Sequence, residues 1–237
     1  NIWGKRFQEA RRKCEALSLL PEAHVQLTLL RCCLDARKVN DLLRATPLDQ
    51  ASDVAASFSA LLRDTLGFII GTPVSDSQWA QATLPVRYGG LGIQDPSVTR
   101  LAARMAGLTD FVTRAVDVLG LPADFPRIPA DFQNCLAQAL RHLGQRQPLS
   151  AWQQDPALVK DAERAHASQR WWSDLCARQR QSTLATTLSG EDAVRFASQI
   201  QPHAMALAAV IPSAGLRTLI PSTDVKCLLR WSLGIDQ

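Results

Sequence analysis

Between residues 79 and 96 the sequence WAQATLPVRYGGLGIQDP breaks the amphipathic helical pattern that fills most of the chain. Gly89, Gly90 and Gly92 stand there among apolar residues, flanked by Pro85 and Pro96. Glycine is placed where the backbone takes positive φ or where a neighbour must come close, so this run specifies a local backbone shape. Leu84-Pro85-Val86-Arg87-Tyr88 and Leu91-Gly92-Ile93 alternate apolar residues about Gly89-Gly90. That alternation fits a minimal two-residue β-hairpin or an irregular loop packed on helices, and the sequence leaves both open. In either case Gly89 or Gly90 is expected at positive φ.

The flanking segments read as helices, so the expected fold class is all-α, a multi-helix bundle with a Gly-rich loop or minimal hairpin near 84–93. Residues 3–20 space Phe7, Ala10, Cys14 and Leu17 for one helical face and put Lys5, Arg6, Arg11, Arg12 and Lys13 around it. Pro21 is placed to open a second helix lined by Leu27, Leu30 and Leu34. Asp35 is placed to cap a short third, with Val39, Leu42 and Leu43 inward, Arg37, Lys38 and Arg44 outward, and Pro47 as its stop. Val54, Phe58, Leu61, Thr65 and Ile69 form the clearest stripe of the first half, closed by Gly71. A short helix over 75–83 leads into the glycine run. Asp95-Pro96 then restarts the chain as a cap followed by proline at the first helical position, ahead of a stripe from Leu101 through Met105 and Leu108 to Leu119.

The proline-punctuated segment 121–129 is the expected boundary between a first unit, 1–120, and a second, 121–237. The second is predicted to hold a helix over 130–143, a long helix opened by Asp155-Pro156 and running to about residue 188, a helix opened by a Ser189/Asp192 capping box, and short pieces divided by Pro202, Pro212 and Pro221. Trp171 and Trp172 stand among Arg170, Arg178 and Arg180, where aromatic and guanidinium planes could stack on bases or anchor a core.

Composition narrows the function classes. With 237 residues, 46% of them hydrophobic and 20% charged, the chain has enough apolar residues for a sizeable core, and a net charge of +4 is compatible with a polyanionic partner without amounting to a dedicated basic arm. Cys14, Cys32, Cys33, Cys135, Cys176 and Cys227 show no C-x-x-C spacing, and His24, His142, His166 and His203 are far apart, so no metal site is expected and the thiols read as those of a reducing, intracellular compartment. No apolar run approaches the roughly 18 residues of a membrane span. The chain begins without methionine and ends soon after Gly234, which reads as a piece of something longer.

No catalytic constellation emerges. The GGLG run lacks the third glycine, preceding strand and free helix start of a dinucleotide fingerprint, and Asp95 would itself occupy the helix start and repel phosphate. Asp224-Val225-Lys226 matches the end of a nuclease D-x-K motif but falls in a helix without a partner acid. No cofactor is expected.

The order LLRCCLDARKVNDLLRATP, long helix, ATLPVRYGGLGIQDP, helix of small residues resembles the region just after the polymerase palm in non-LTR (LINE-type) retrotransposon reverse transcriptases and their degenerate relatives. HAMALAAVIPSAGLRTLIPSTDVKCLLRWSLGI likewise resembles the segment that precedes a Cys/His zinc-binding element in such reading frames. The two stretches cover roughly half the chain. The resemblance implies a thumb-like helical unit, which in these RNA-directed DNA polymerases packs against template-primer duplex, followed by a helical linker. Lys5, Arg6, Arg11, Arg12, Lys13, Arg37, Lys38, Arg44 and Arg87 are then the candidates for phosphate contact, setting register and not sequence. The chain departs from a complete enzyme: it has no adjacent aspartate pair like that of a palm, and the zinc-binding cysteines expected after Leu233-Gly234 are not in it. The expectation is a noncatalytic module that binds nucleic acid weakly, nuclear if the family role is kept, with a structural subunit of a larger protein assembly as the alternative.

Overall fold

In a computed structural model the described residues are 2–119, 169–205 and 209–235, and the side chains of 108–119, Trp171 and Leu175 lie outside the description. The expected linker 121–129, the helix 130–143 and the Asp155-Pro156 start fall outside these residues. Among the described residues the chain is mostly helical and has no strand. Helices α1 (Ile2–Leu17), α2 (Ala23–Leu29), α3 (Asn40–Ala45), α4 (Leu48–Ile70), α5 (Asp76–Ala82) and α6 (Pro96–Leu119) come first; α7 (Gln169–Thr187), α8 (Gly190–Gln199) and α9 (Ser222–Leu233) follow.

The main core collects Cys14 and Leu17 of α1, Leu27 of α2, Leu62, Leu66, Ile69 and Ile70 of α4, and Trp79 of α5 around the apolar residues of the glycine loop. Val225, Leu229 and Leu233 of α9 join the same cluster, so described residues from both sides of the expected boundary share one core. A second cluster places Phe58 of α4 among Ala10, Val39, Leu43 and Ala103, with Trp3 and Phe7 meeting its ring edge-on at 6.5 Å and 5.2 Å between centroids. The α4 stripe thus faces two clusters at once. Its one polar member, Thr65, is satisfied locally by donating to the Leu61 carbonyl at 2.7 Å.

Three local expectations are corrected. Pro21 does not open α2. Glu22 is the N-cap, and the first free amide, Ala23 N–H, donates to Ser222 Oγ of α9 at 3.0 Å, so a tertiary contact sets the helix start. Asp35 caps only a 3-10 turn, Ala36–Lys38, before α3 begins, because Ala36 N–H is drawn to the Gln94 carbonyl at 2.9 Å. Between α2 and Asp35 lies a π turn, Leu30–Leu34, that keeps Leu30 and Leu34 buried and turns Cys32 and Cys33 outward. At α8 the Ser189 side chain makes no cap bond; Asp192 accepts from Arg195 Nη2 at 2.7 Å instead. Of the pieces predicted after Pro202, the last is α9 and residues 211–221 run through turns and extended chain, while 206–208 lie outside the described residues.

The glycine run is a loop. Val86–Tyr88 makes one 3-10 turn, Gly89 (φ 80°) and Gly92 (φ 75°) are left-handed, and Leu84, Leu91 and Ile93 are fully buried. Leu91 and Gly92 amides return to the Ala82 and Leu84 carbonyls at 3.1 and 2.9 Å, which closes the loop on the end of α5. Gly90 has ordinary φ but no room: a Cβ there would overlap the Leu84 carbonyl oxygen and sit 2.5 Å from that of Gln81.

Candidate nucleic-acid interface

All five cations of α1 are exposed, since the apolar face of Ala10, Cys14 and Leu17 is turned inward. Two carboxylates share that surface. Glu9 pairs with Lys13 and, at 3.9 Å, with Arg6; Glu15 accepts from Arg11 Nε at 3.0 Å. Arg6 also reaches Asp41 of α3 at 3.9 Å, and Arg12 Nε donates to the Gln8 carbonyl at 3.4 Å. Lys13, and to a lesser degree Arg6 and Lys38, hold the Glu9 carboxyl below its ordinary range, which puts Lys38 beside α1. Exposed pairs of this kind are screened by solvent, so they yield readily to a stronger anion.

The remaining predicted cations are spread over other elements. Arg37 is exposed and pairs with Asp35 at 3.2 Å. Asp35 is 1% exposed; burial pushes its pKa up to about 6, against the backbone N–H and guanidinium of Arg37 and the Gln94 N–H, all of which favour the charged form. Arg44 is half-buried and donates to Gln169 Oε1 at the start of α7, at 3.3 Å. Arg87 lies over the Tyr88 ring, 4.9 Å from its centroid, and forms an ion pair with Asp174 of α7. Asp174 also accepts from Tyr88 Oη at 2.8 Å and Arg178 Nε at 2.9 Å. Burial would raise the Asp174 pKa, but these donors and Arg87 together bring it below its ordinary value. Arg87, though exposed, is therefore engaged in docking α7 to the loop, while the α1 cations, Arg37 and Lys38 form a separate exposed group.

Periodicity gave no signal for the polar knot beneath the loop. Gln81 Nε2 shares its two protons among Gln199 Oε1 (2.5 Å), the Ser232 carbonyl (2.8 Å) and the Gly89 carbonyl (3.2 Å). Gln199 Nε2 also donates to the Ser232 carbonyl, and Arg195 bridges that carbonyl and Gln81 Oε1. Nearby, the half-buried Arg180 of α7 donates to Ala80 O (3.0 Å) and Thr83 Oγ1 (2.5 Å) at the carbonyl end of α5. Trp172 is buried in α7 and the Trp171 side chain is outside the described residues, so only one of the predicted pair has a described position. Asp224 and Lys226 sit on α9, and among the described residues no three His, Cys, Asp or Glu side chains cluster as metal ligands. No helix of the described residues is long and apolar enough to cross a membrane.

Compared with known proteins, the chain matches no protein-family model, no curated protein and no solved structure.

Proposed function

We propose that this chain is a noncatalytic helical module, derived from a non-LTR retrotransposon reverse transcriptase, that binds the nucleic-acid backbone weakly and without sequence preference through α1 and the adjoining Arg37-Lys38 turn. The observation that carries the proposal is the charge on the outer side of α1: Lys5, Arg6, Arg11, Arg12 and Lys13 are all exposed and share that helix with only Glu9 and Glu15. A rigid helix with surplus cations offers phosphates fixed positions but no readout of base edges.

The test is duplex binding by the purified chain at two or more salt concentrations, beside a Lys5→Gln/Arg12→Gln variant. These two cations form no ion pair among the described residues, and removing them is expected to lower the slope of log affinity against log salt by about two. Absence of measurable binding at about 50 mM salt would sink the proposal.

A second reading, a structural subunit of a larger assembly, draws support from a different place. Val194, Leu228 and Trp231 are 72%, 43% and 52% exposed on α8 and α9. Under that reading Trp231→Glu disrupts association with protein while leaving duplex binding alone.

A further inference from the structure

Arg31 was not among the cations that helical spacing singled out. It lies on the π turn between α2 and Asp35, and its guanidinium rests against Gly92: a Cβ added there would meet Arg31 Nε at 3.6 Å and Cζ at 3.9 Å. The positive-φ, side-chain-free Gly92 is thus the seat that lets an arginine lie down on the loop. Arg31 Nε is buried without an acceptor, and no ion pair or hydrogen bond engages the terminal nitrogens among the described residues. Asp35 is nearby but occupied, with Oδ1 on the Arg37 N–H at 3.0 Å and Oδ2 on the Arg37 guanidinium at 3.2 Å and the Gln94 N–H at 3.4 Å.

The cost of this arrangement is visible in the surroundings. Burial weakens Arg31's hold on its proton; Cys32 and Asp35 oppose that, while the neighbouring Arg37 adds to it. The guanidinium remains charged all the same. A partly desolvated cation with uncommitted donors and a like-charged neighbour recovers that cost when an oxyanion bridges the two, because a guanidinium offers parallel N–H groups to two oxygens of one phosphate.

We propose that Arg31, with Arg37, binds a phosphodiester of the nucleic-acid backbone at the Gly92 end of the loop, extending the contact surface of α1 through Lys38 and Arg37 to the π turn. The proposal rests on the function proposed above and adds a half-buried contact to a surface otherwise made of exposed side chains. Two exposed cations on α1 could be lost singly with little effect on orientation; Arg31 would set it.

The experiment measures affinity for a fluorescent duplex across about 50–300 mM salt, for the wild type, Arg31→Gln and Arg31→Lys, with thermal unfolding of each and with inorganic phosphate as a separate ligand. Arg31→Gln is expected to weaken binding several-fold and lower the salt slope by about one, with a melting temperature equal to or above that of the wild type, because a desolvated charge has been removed. Arg31→Lys is expected to keep the slope and lose part of the affinity, since lysine supplies charge without the bidentate geometry. An unchanged slope in Arg31→Gln, with the wild type binding normally, overturns this inference and leaves the α1 proposal standing. Failure of the wild type to bind overturns both. Loss of inorganic phosphate binding without a change in duplex slope makes the notch a free-anion site and also overturns it, and so does a fall in slope matched by a lowered melting temperature in both variants.

Discussion

At Gly90 backbone carbonyls fill the space where a side chain would go, whereas along α1 every cation reaches into solvent. The loop is held by fixed groups: carbonyls of α5, left-handed glycines and the buried Leu84, Leu91 and Ile93. The basic face is held by side chains paired at exposed positions, each free to exchange partners. The loop should therefore tolerate almost no substitution, and the face almost any single one. Its chemistry would be additive where that of the loop is all-or-none.

The largest effect that could break this contrast is at Gly90. Gly90→Ala drives a methyl group into the Leu84 and Gln81 carbonyls, neither of which can swing away, and is expected to cost roughly 4 kcal/mol or more in urea unfolding. A variant within 1 kcal/mol of the wild type would show that the loop backbone is not fixed as described.

Next comes Asp35, which ties the 3-10 turn to the loop's end. Its pKa is raised to about 6 in the folded state against about 3.9 when unfolded, so the folded protein binds the proton more tightly. Its contribution is fully present below about pH 4 and is lost as pH rises through 6, a span of about 3 kcal/mol. Asp35→Asn is expected to compare better with the wild type at pH 7.5 than at pH 4 by most of that amount. Equal differences at the two pH values would mean that the buried carboxylate is not the cause.

Gln81→Ala removes the centre of the polar knot and takes away the donor to the Gly89 carbonyl and to Gln199 Oε1; a loss of about 2 kcal/mol is expected by chemical denaturation. If the loss is within 0.5 kcal/mol, the knot is not what holds α8 and α9 to the loop. The smallest effect sharpens the other side of the contrast. Arg11→Gln with Lys13→Gln should change stability by less than about 0.5 kcal/mol while reducing the salt dependence of duplex binding. A stability change above 1 kcal/mol would place those pairs in the fold and not in binding.

The same contrast explains what could be seen in advance. Features specified within a few residues were legible: the α4 stripe, the Asp95-Pro96 restart, whose carboxylate accepts the Ser97 N–H at 2.8 Å, and positive φ at Gly89. Features made by distant residues were not. Ala23 takes its cap from a serine 199 positions away, and Gln81 meets Ser232 across 151; neither partner carries a periodic signal. The Ser189/Asp192 pattern failed because Arg195 offered Asp192 a better donor than the backbone. Among the candidate site residues, exposure along α1 followed from its wheel, but the commitment of Arg87 to Asp174 depended on a helix more than 80 residues further on.

Asp95 serves two elements with one carboxylate. Oδ1 caps α6 through Ser97 while Oδ2 accepts the Trp79 indole N–H of α5 at 3.1 Å, and that indole also reaches Ser59 Oγ of α4 at 3.2 Å. No one of these helices can open alone without breaking a bond that another uses. The indole proton of Trp79 should accordingly exchange with deuterium only when α4, α5 and α6 separate together, so one slow resonance would record the cooperative opening of these three helices.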